Sequence, residues 1–198
     1  MLPPAKDEQI LAAARQLFLR HGFDGATTDA LVERAEVSKE TLYRYYPTKD
    51  ELLTAVIKDM AERRLVIAAD VVLPPHATRR TLEALLRGLA GGVLAETMRP
   101  DYLDLLRLVI GESARRPHLA KMLRDALSGG GALRRLLDAA REQGLVRHEV
   151  KTELAAQILG GALLGWVVQQ GLLVGTRPAR APIDIDEIVR LFLRGVAA

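Results

Sequence analysis

Hydroxyl, phenol and cationic side chains are concentrated between residues 39 and 49 of this 198-residue chain. Groups of these types bond to phosphate oxygens and to the edges of bases. Catalysis would need acids and bases at converging positions, and the segment has no such spacing. The pattern therefore indicates nucleic-acid binding. The candidate contact residues are Lys39, Thr41, Tyr43, Arg44, Tyr45 and Lys49.

Two short helices are predicted to position these groups. Thr28 is predicted to cap the first helix and Ser38 the second. Only Glu36 and Val37 separate the two helices, so they must cross at a steep angle, which predicts a helix-turn-helix. The second helix of such a unit enters the major groove of DNA. A helical hairpin with an ordinary solvated polar face is the alternative.

Flanking signals predict a three-helix head around this unit. Apolar residues recur with helical period from Asp7 to Arg20, and Gly22 is predicted to end that helix in a left-handed conformation. Phe23 would then fold back onto the core. Thr48 and Glu51 form a capping box that begins the next helix after Pro47.

These residues resemble the tetracycline-repressor (TetR) family of transcriptional regulators. The matching motifs are Thr27-Thr28, Ala35-x-Val37-Ser38, Leu42-Tyr43 and Lys49. The resemblance implies double-stranded DNA as a partner. It implies DNA contacts by Thr28, Lys39, Thr41, Tyr43, Arg44, Tyr45 and Lys49.

Three residues depart from the family pattern. Glu36 stands where a turn glycine is usual, so a non-glycine is expected at positive φ, at a cost of about 1 kcal/mol. Glu40 replaces a common glycine and brings a carboxylate near the phosphates. Tyr46 replaces the usual phenylalanine.

Composition excludes several classes of protein. The chain has no cysteine, which excludes a disulfide scaffold and thiolate metal sites and fits the cytoplasm. Its four histidines are scattered, so neither a metal site nor a catalytic residue nor a cofactor is predicted. The net charge is +3, yet residues 1–50 hold seven Lys and Arg against eight Asp and Glu. The motif therefore supports DNA binding more strongly than the charge does.

The periodicity predicts an all-α fold of about nine helices, with a DNA-binding head at residues 1–50 and a body at residues 51–198. A long helix from Thr48 to about Val72 links the two. The other predicted body helices are Thr78–Thr97, Pro100 or Tyr102 to Arg115, Pro117–Glu142 with a break at Ser128–Gly131, Thr152–Val174 and Asp184–Gly195.

A run of 23 residues from Leu154 to Thr176 contains no charge. This run could span a bilayer, but three glutamines and five glycines favour a helix buried between subunits, and no membrane partner is expected. The resemblance implies dimerisation through the last two helices. The predicted interface residues are Leu159, Leu163, Ile188, Leu191 and Phe192.

The resemblance further implies that the body binds a small effector whose binding releases the repressor from an inverted-repeat operator. Because aromatic residues make up only 4% of the chain, a flexible apolar molecule is favoured over a planar one. Helical phase suggests that the effector pocket is lined by Leu86, Leu89, Leu105, Leu108, Met122 and Trp166. Glu112 and Gln169 are suggested as its polar anchors. The alternative is a constitutive DNA-binding protein whose body only dimerises.

Overall fold

The computed structural model describes residues 4–69, 71–127, 131–174 and 184–198. The prediction of an all-α fold is confirmed. The described residues form ten α-helices: α1 (Pro4–Gly25), α2 (Thr28–Ala35), α3 (Lys39–Tyr45), α4 (Lys49–Ala69), α5 (Arg79–Thr97), α6 (Pro100–Glu112), α7 (Pro117–Leu127), α8 (Ala132–Glu142), α9 (Thr152–Trp166) and α10 (Ile185–Val196). A π-helical segment, Val167–Leu173, continues α9 directly.

The structure has one helix more than predicted because the segment Pro117–Glu142 forms two helices, α7 and α8. The predicted break lay at Ser128–Gly131, of which residues 128–130 are outside the described part of the chain. Gly131 precedes α8 with a φ of 77°, a left-handed conformation that glycine adopts at little cost.

The chain forms two compact units. The first contains the described parts of Met1–Glu62 and Asp104–Leu123, and the second contains those of Arg63–Leu103 and Arg124–Ala198. Helix α4 passes from one unit into the other. The predicted domain boundary after residue 50 lies inside α4 and stays a prediction.

Helices α1 to α4 pack around an apolar centre in the first unit. Phe18 is fully buried, and Phe23 stacks on it with ring centroids 5.9 Å apart. Gly22 has the expected positive φ, 72°, but an extended ψ of 179°, so it kinks α1 and does not end it in the left-handed conformation; the kink precedes the buried Phe23. Polar contacts also join the helices. Tyr46 donates a hydrogen bond to Asp7, with a distance of 2.7 Å between Oη and Oδ1.

The core of the second unit is built from α5, α8, α9 and α10. Each helix contributes residues at helical spacing: Leu82, Leu86 and Leu89; Leu136, Leu137 and Ala140; Ala155, Leu159 and Leu163; Val189, Leu193 and Val196. The last residues of the chain are tied to this unit by an antiparallel bridge between Val146 and Ala197.

Candidate nucleic-acid interface

Capping geometry sets where α2 and α3 begin. The side chain of Thr27 accepts a hydrogen bond from the amide of Ala30 at 3.2 Å, so Thr27 caps α2 and Thr28 is its first residue. The prediction that Thr28 is the cap was therefore wrong by one position, because either threonine of the pair has the required hydroxyl. Ser38 caps α3 as predicted and accepts from the amide of Thr41 at 3.1 Å.

The turn between α2 and α3 depends on a strained residue. Glu36 has φ 53° and ψ 42°, the left-handed conformation expected for this position. Its amide closes the end of α2 by donating to the carbonyl of Glu33 at 3.3 Å. The turn therefore redirects the chain tightly enough for α3 to begin after three residues, the last of which is its cap, Ser38.

Helix α3 exposes some of the predicted contact residues and buries another. Tyr43 is 48% exposed, Lys39 and Arg44 are exposed, and Tyr45 is half-buried. Thr41 is only 9% exposed, and its hydroxyl accepts a hydrogen bond from Ser38 at 3.0 Å. Thr41 therefore has little surface to offer to a base, and its side chain supports the start of α3.

The structure brings three of the predicted residues, Thr28, Tyr43 and Lys49, to one shallow depression of about 50 Å³. The hydroxyls of Thr28 and Tyr43 lie 3.3 Å apart. Thr28 and Lys49 are the first residues of α2 and α4, where unpaired amides and the helix dipole favour an anion. The depression is large enough for a phosphate group, which needs hydrogen-bond donors of this kind.

The environment of Lys49 favours an added anion. Burial lowers the pKa of Lys49, and the positive charge of Arg116 lowers it as well, while the carboxylates of Asp24 and Asp50 raise it; the net shift is downward. The Lys49 ammonium donates to the carbonyl of Asp24 at 3.4 Å and lies 4.6 Å from the centre of the Phe23 ring. The carboxylates of Asp24 and Asp50 only partly offset burial, since the net shift is downward, and a phosphate at the depression would stabilise the ammonium further.

Two other ionisable groups of the head are paired. Lys39 forms an ion pair with Asp29 at 2.6 Å, and this hydrogen bond raises the pKa of Lys39. Burial and the hydrogen bond to Asp7 raise the pKa of Tyr46 well above its usual range. Tyr46 is therefore a neutral hydrogen-bond donor that joins the end of α3 to α1.

The residues predicted to line a ligand pocket are divided between the units. In the first unit, Leu105 and Glu112 are buried, while Leu108 and Met122 are half-buried. Glu112 already pairs with Arg116. In the second unit, Leu86 and Leu89 belong to the core, Trp166 is half-buried, and Gln169 is exposed.

Two of the five predicted dimer residues, Leu159 and Leu163, require a correction. Leu159 and Leu163 are 2% and 6% exposed and pack inside the core of their own unit, so they do not form a free surface. The exposed apolar face of α9 instead contains Leu154 and Ile158, which are 53% and 60% exposed. On α10, Leu191 is 54% exposed, whereas Ile188 and Phe192 are half-buried. The uncharged run is apolar all round, and its sequence therefore did not indicate which face the core covers.

Metal binding and membrane crossing can both be considered for the described residues. Among them, no group of three or more His, Cys, Asp or Glu side chains could hold a metal ion. The helix Thr152–Leu173 is long and apolar enough to cross a membrane by length and composition alone, with a mean hydropathy of 1.2.

The two capped helices, their three-residue connection and the exposed face of α3 define a helix-turn-helix DNA-binding protein. Residues 10–56 match the family described as bacterial regulatory proteins, tetR family, and residues 83–196 match the C-terminal domain of AefR-like transcriptional repressors. The chain therefore belongs to the TetR family of bacterial transcriptional regulators.

Individual proteins show the same similarity. The HTH-type transcriptional regulator Mb1581 of Mycobacterium bovis is 24% identical over 186 residues, which cover 93% of this chain and 86% of that protein. The HTH-type transcriptional repressor AcnR of Corynebacterium jeikeium is 27% identical over 184 residues, or 90% and 88% of the two chains. A crystal structure of a TetR-family regulator from Mesorhizobium loti superposes with a TM-score of 0.81 at 24% identity and covers 98% of this chain and 97% of its own.

Proposed function

We propose that this regulator is a cytoplasmic repressor that binds an inverted-repeat operator as a homodimer and leaves it when a small apolar effector binds. The depression that Thr28, Tyr43 and Lys49 line is the observation that supports the DNA-binding part of this proposal most directly. Its other lining residues are Leu31, Leu42, Tyr46, Thr48 and Leu52. Two names support the repressor role. The domain family that matches the C-terminal part is described as that of AefR-like repressors, and the similar protein AcnR is described as a repressor.

The depression is proposed to hold one DNA phosphate in each protomer. Two hydroxyls and an ammonium would bond its oxygens, and the amino ends of α2 and α4 would add favourable dipoles. Such a contact positions the protein on the duplex without reading its sequence. It would set how far α3 enters the major groove.

Sequence reading is proposed to fall mainly on Lys39 and Arg44, which are exposed on α3. Lys39 must leave Asp29 before it can reach a base, and this exchange costs little because both side chains are more than half exposed. Thr41 contributes by holding Ser38 and the first turn of α3. Tyr45 is proposed to contact the DNA backbone next to the phosphate that Tyr43 binds.

A second copy of the chain is proposed to cover the exposed face of α9 and α10. Leu154 and Ile158 are large, apolar, exposed and four residues apart on one face of α9, and Leu191 is a further exposed leucine on α10. A side-chain carbon added at Gly161 or Gly165 would meet nothing within 4 Å, which leaves room for another helix. A two-fold dimer would place two α3 helices on the two halves of an inverted repeat.

The proposed effector is a small apolar molecule. The residues suggested by helical phase are mainly aliphatic, which favours an apolar molecule, but Glu112 is paired with Arg116 and would have to exchange that partner to anchor a ligand. The alternative function is constitutive DNA binding without an effector.

The proposal is tested first at the depression. Operator fragments are selected from genomic DNA with the purified protein, and dissociation constants are measured at several salt concentrations. We expect Tyr43→Ala and Lys49→Ala each to weaken binding about tenfold on all sequences, since each removes a phosphate contact. Lys49→Ala should reduce the slope of log K against log salt by about two for a dimer, because each lost contact accounts for about 0.9.

Lys121→Ala is the matched control, because Lys121 is an exposed cation on α7 outside the helix-turn-helix. It should leave affinity within about twofold of the wild type, whatever the DNA sequence. Unchanged operator affinity in a correctly folded Tyr43→Ala protein would refute the proposed interface.

A further inference from the structure

The turn between α6 and α7 places an arginine against the start of α4. Arg116 is the residue before Pro117, and its amide closes the end of α6 by donating to the carbonyl of Glu112 at 2.8 Å. Its side chain is only 17% exposed. A cation this buried in a turn is held there by its partners.

Three partners hold Arg116. Its Nε donates to Oδ1 of Asp50 at 2.5 Å, and its Nη1 donates to the carboxylate of Glu112. The guanidinium carbon lies 3.6 Å from the centre of the Phe23 ring, which gives a cation–π contact. One side chain thus joins α6, the residue that follows Gly22, and the first turn of α4.

Two of these contacts, those with Asp50 and with the Phe23 ring, involve groups that also adjoin Lys49. Asp50 is the next residue in α4, and the Lys49 ammonium lies over the same Phe23 ring. Arg116 therefore holds both the backbone that carries Lys49 and the aromatic ring against which its side chain rests. The positive charge of Arg116 also repels the Lys49 ammonium and so opposes its movement towards Arg116.

We propose that Arg116 is a positioning residue that acts through Asp50 and Phe23 to direct the ammonium of Lys49 towards a DNA phosphate. This inference rests on the proposed function, because it requires Lys49 to contact DNA. Arg116 is proposed to position Lys49 and not to bind the phosphate itself, because its Nε, its Nη1 and its face are already engaged by Asp50, Glu112 and Phe23.

The sharpest test is Asp50→Asn, because two explanations predict opposite results. If Asp50 mattered only as a negative charge near DNA, its removal would strengthen binding. If Asp50 holds Arg116, its removal weakens binding, and we expect operator affinity to fall at least threefold. Glu51→Gln is the matched control, because Glu51 is an exposed carboxylate in the same turn without an arginine among its described contacts. It should not weaken binding.

A double-mutant measurement tests whether Arg116 acts through Lys49. We expect Arg116→Ala to weaken binding about fivefold in the wild-type protein and to have no further effect in Lys49→Ala. Its salt slope should fall towards that of Lys49→Ala. Arg115→Ala removes the neighbouring cation, which is 71% exposed and 3.7 Å from Asp24, and should leave affinity within twofold.

The outcomes separate this inference from the proposed function. If Tyr43→Ala weakens binding but Asp50→Asn leaves it unchanged or strengthens it, the role of Arg116 is wrong and the interface stands. Additive losses in the double mutant would also overturn the inference, because Arg116 would then act independently of Lys49. If Arg116→Ala fails to fold because Glu112 loses its partner, Asp50→Asn decides the question alone.

Discussion

A single residue, Glu36, determines how tightly α3 follows α2. It adopts φ 53°, where a side chain comes close to the following carbonyl, yet its amide is needed to close α2. The strain was expected because Glu36 stands where a turn glycine is usual in the family that the chain resembles. At this position glycine would satisfy the turn without the clash of Cβ.

Glu36→Gly should therefore stabilise the protein. We expect the free energy of unfolding to rise by about 1 kcal/mol and the melting temperature by about 2–4 °C, as followed by circular dichroism. Glu33→Gly is the matched control. Glu33 is exposed inside α2, so the same change should cost about 1 kcal/mol there. A lower melting temperature for Glu36→Gly would contradict the left-handed turn.

Among the elements, helix α9 is apolar on both sides: one face packs in the core and the opposite face is exposed. Ala155, Leu159 and Leu163 recur every four residues and fill the core, while Leu154 and Ile158 recur on the exposed side. Beyond Trp166 the helix changes to a π-helical segment, in which a side-chain carbon added at Gly171 would lie 2.6 Å from Leu103 Cδ2. Glycine at this point allows the segment to approach α6 closely.

Substitutions at adjacent residues of α9 should separate folding from dimerisation. Ile158→Glu places a charge on the exposed face, and we expect a folded monomer that binds the inverted repeat at least tenfold more weakly. Leu159→Glu buries an unpaired charge and should destabilise the fold by several kcal/mol. Analytical ultracentrifugation and thermal melting distinguish the two results.

The control for this pair is Leu154→Gln, a milder polar change on the exposed face that should weaken the dimer without unfolding the chain. A wild-type protein that sediments as a monomer at micromolar concentration would contradict the proposed assembly. So would a fully dimeric Ile158→Glu protein.

At the scale of the whole molecule, α4 connects the two units and offers a route for regulation. It begins with Lys49 in the first unit and continues past Glu62 into the second. An effector that prefers the released state 100-fold would shift the equilibrium by about 2.7 kcal/mol for each site.

An apolar effector should change the fluorescence of Trp166 and release DNA over the same concentration range. Trp166 is the chain's single tryptophan and is half-buried, so its emission reports on its surroundings. A library of apolar metabolites and drugs is screened by fluorescence, and hits are tested for release of labelled operator. Trp166→Phe is the control, since it should lose the optical signal while DNA release persists.

If no apolar compound changes the affinity for DNA, the constitutive alternative is favoured. Compounds that release DNA from Trp166→Phe as well as from the wild type exclude an optical artefact. Such compounds would also show whether the lining suggested by helical phase is correct, through substitutions at Leu108 or Met122.

Much of the helix-turn-helix was determined by the sequence itself. Helix caps, the left-handed turn and the start of α4 depend on hydrogen bonds and φ preferences among residues within about four positions of one another. These interactions are local, and the sequence therefore predicted the helices, the turn at Glu36 and the exposed position of Tyr43. The one-residue error at Thr27 has the same origin, since two adjacent hydroxyls are locally equivalent.

Other features were decided only by the tertiary structure. The burial of Thr41, the core face of α9 and the contact of Arg116 with Asp50 all depend on residues far apart in the chain. An apolar helix has no periodicity that identifies the side its neighbours will cover. Likewise, an arginine before a proline predicts only the end of a helix, and its partner Asp50, 66 residues away, becomes apparent only when the chain has folded.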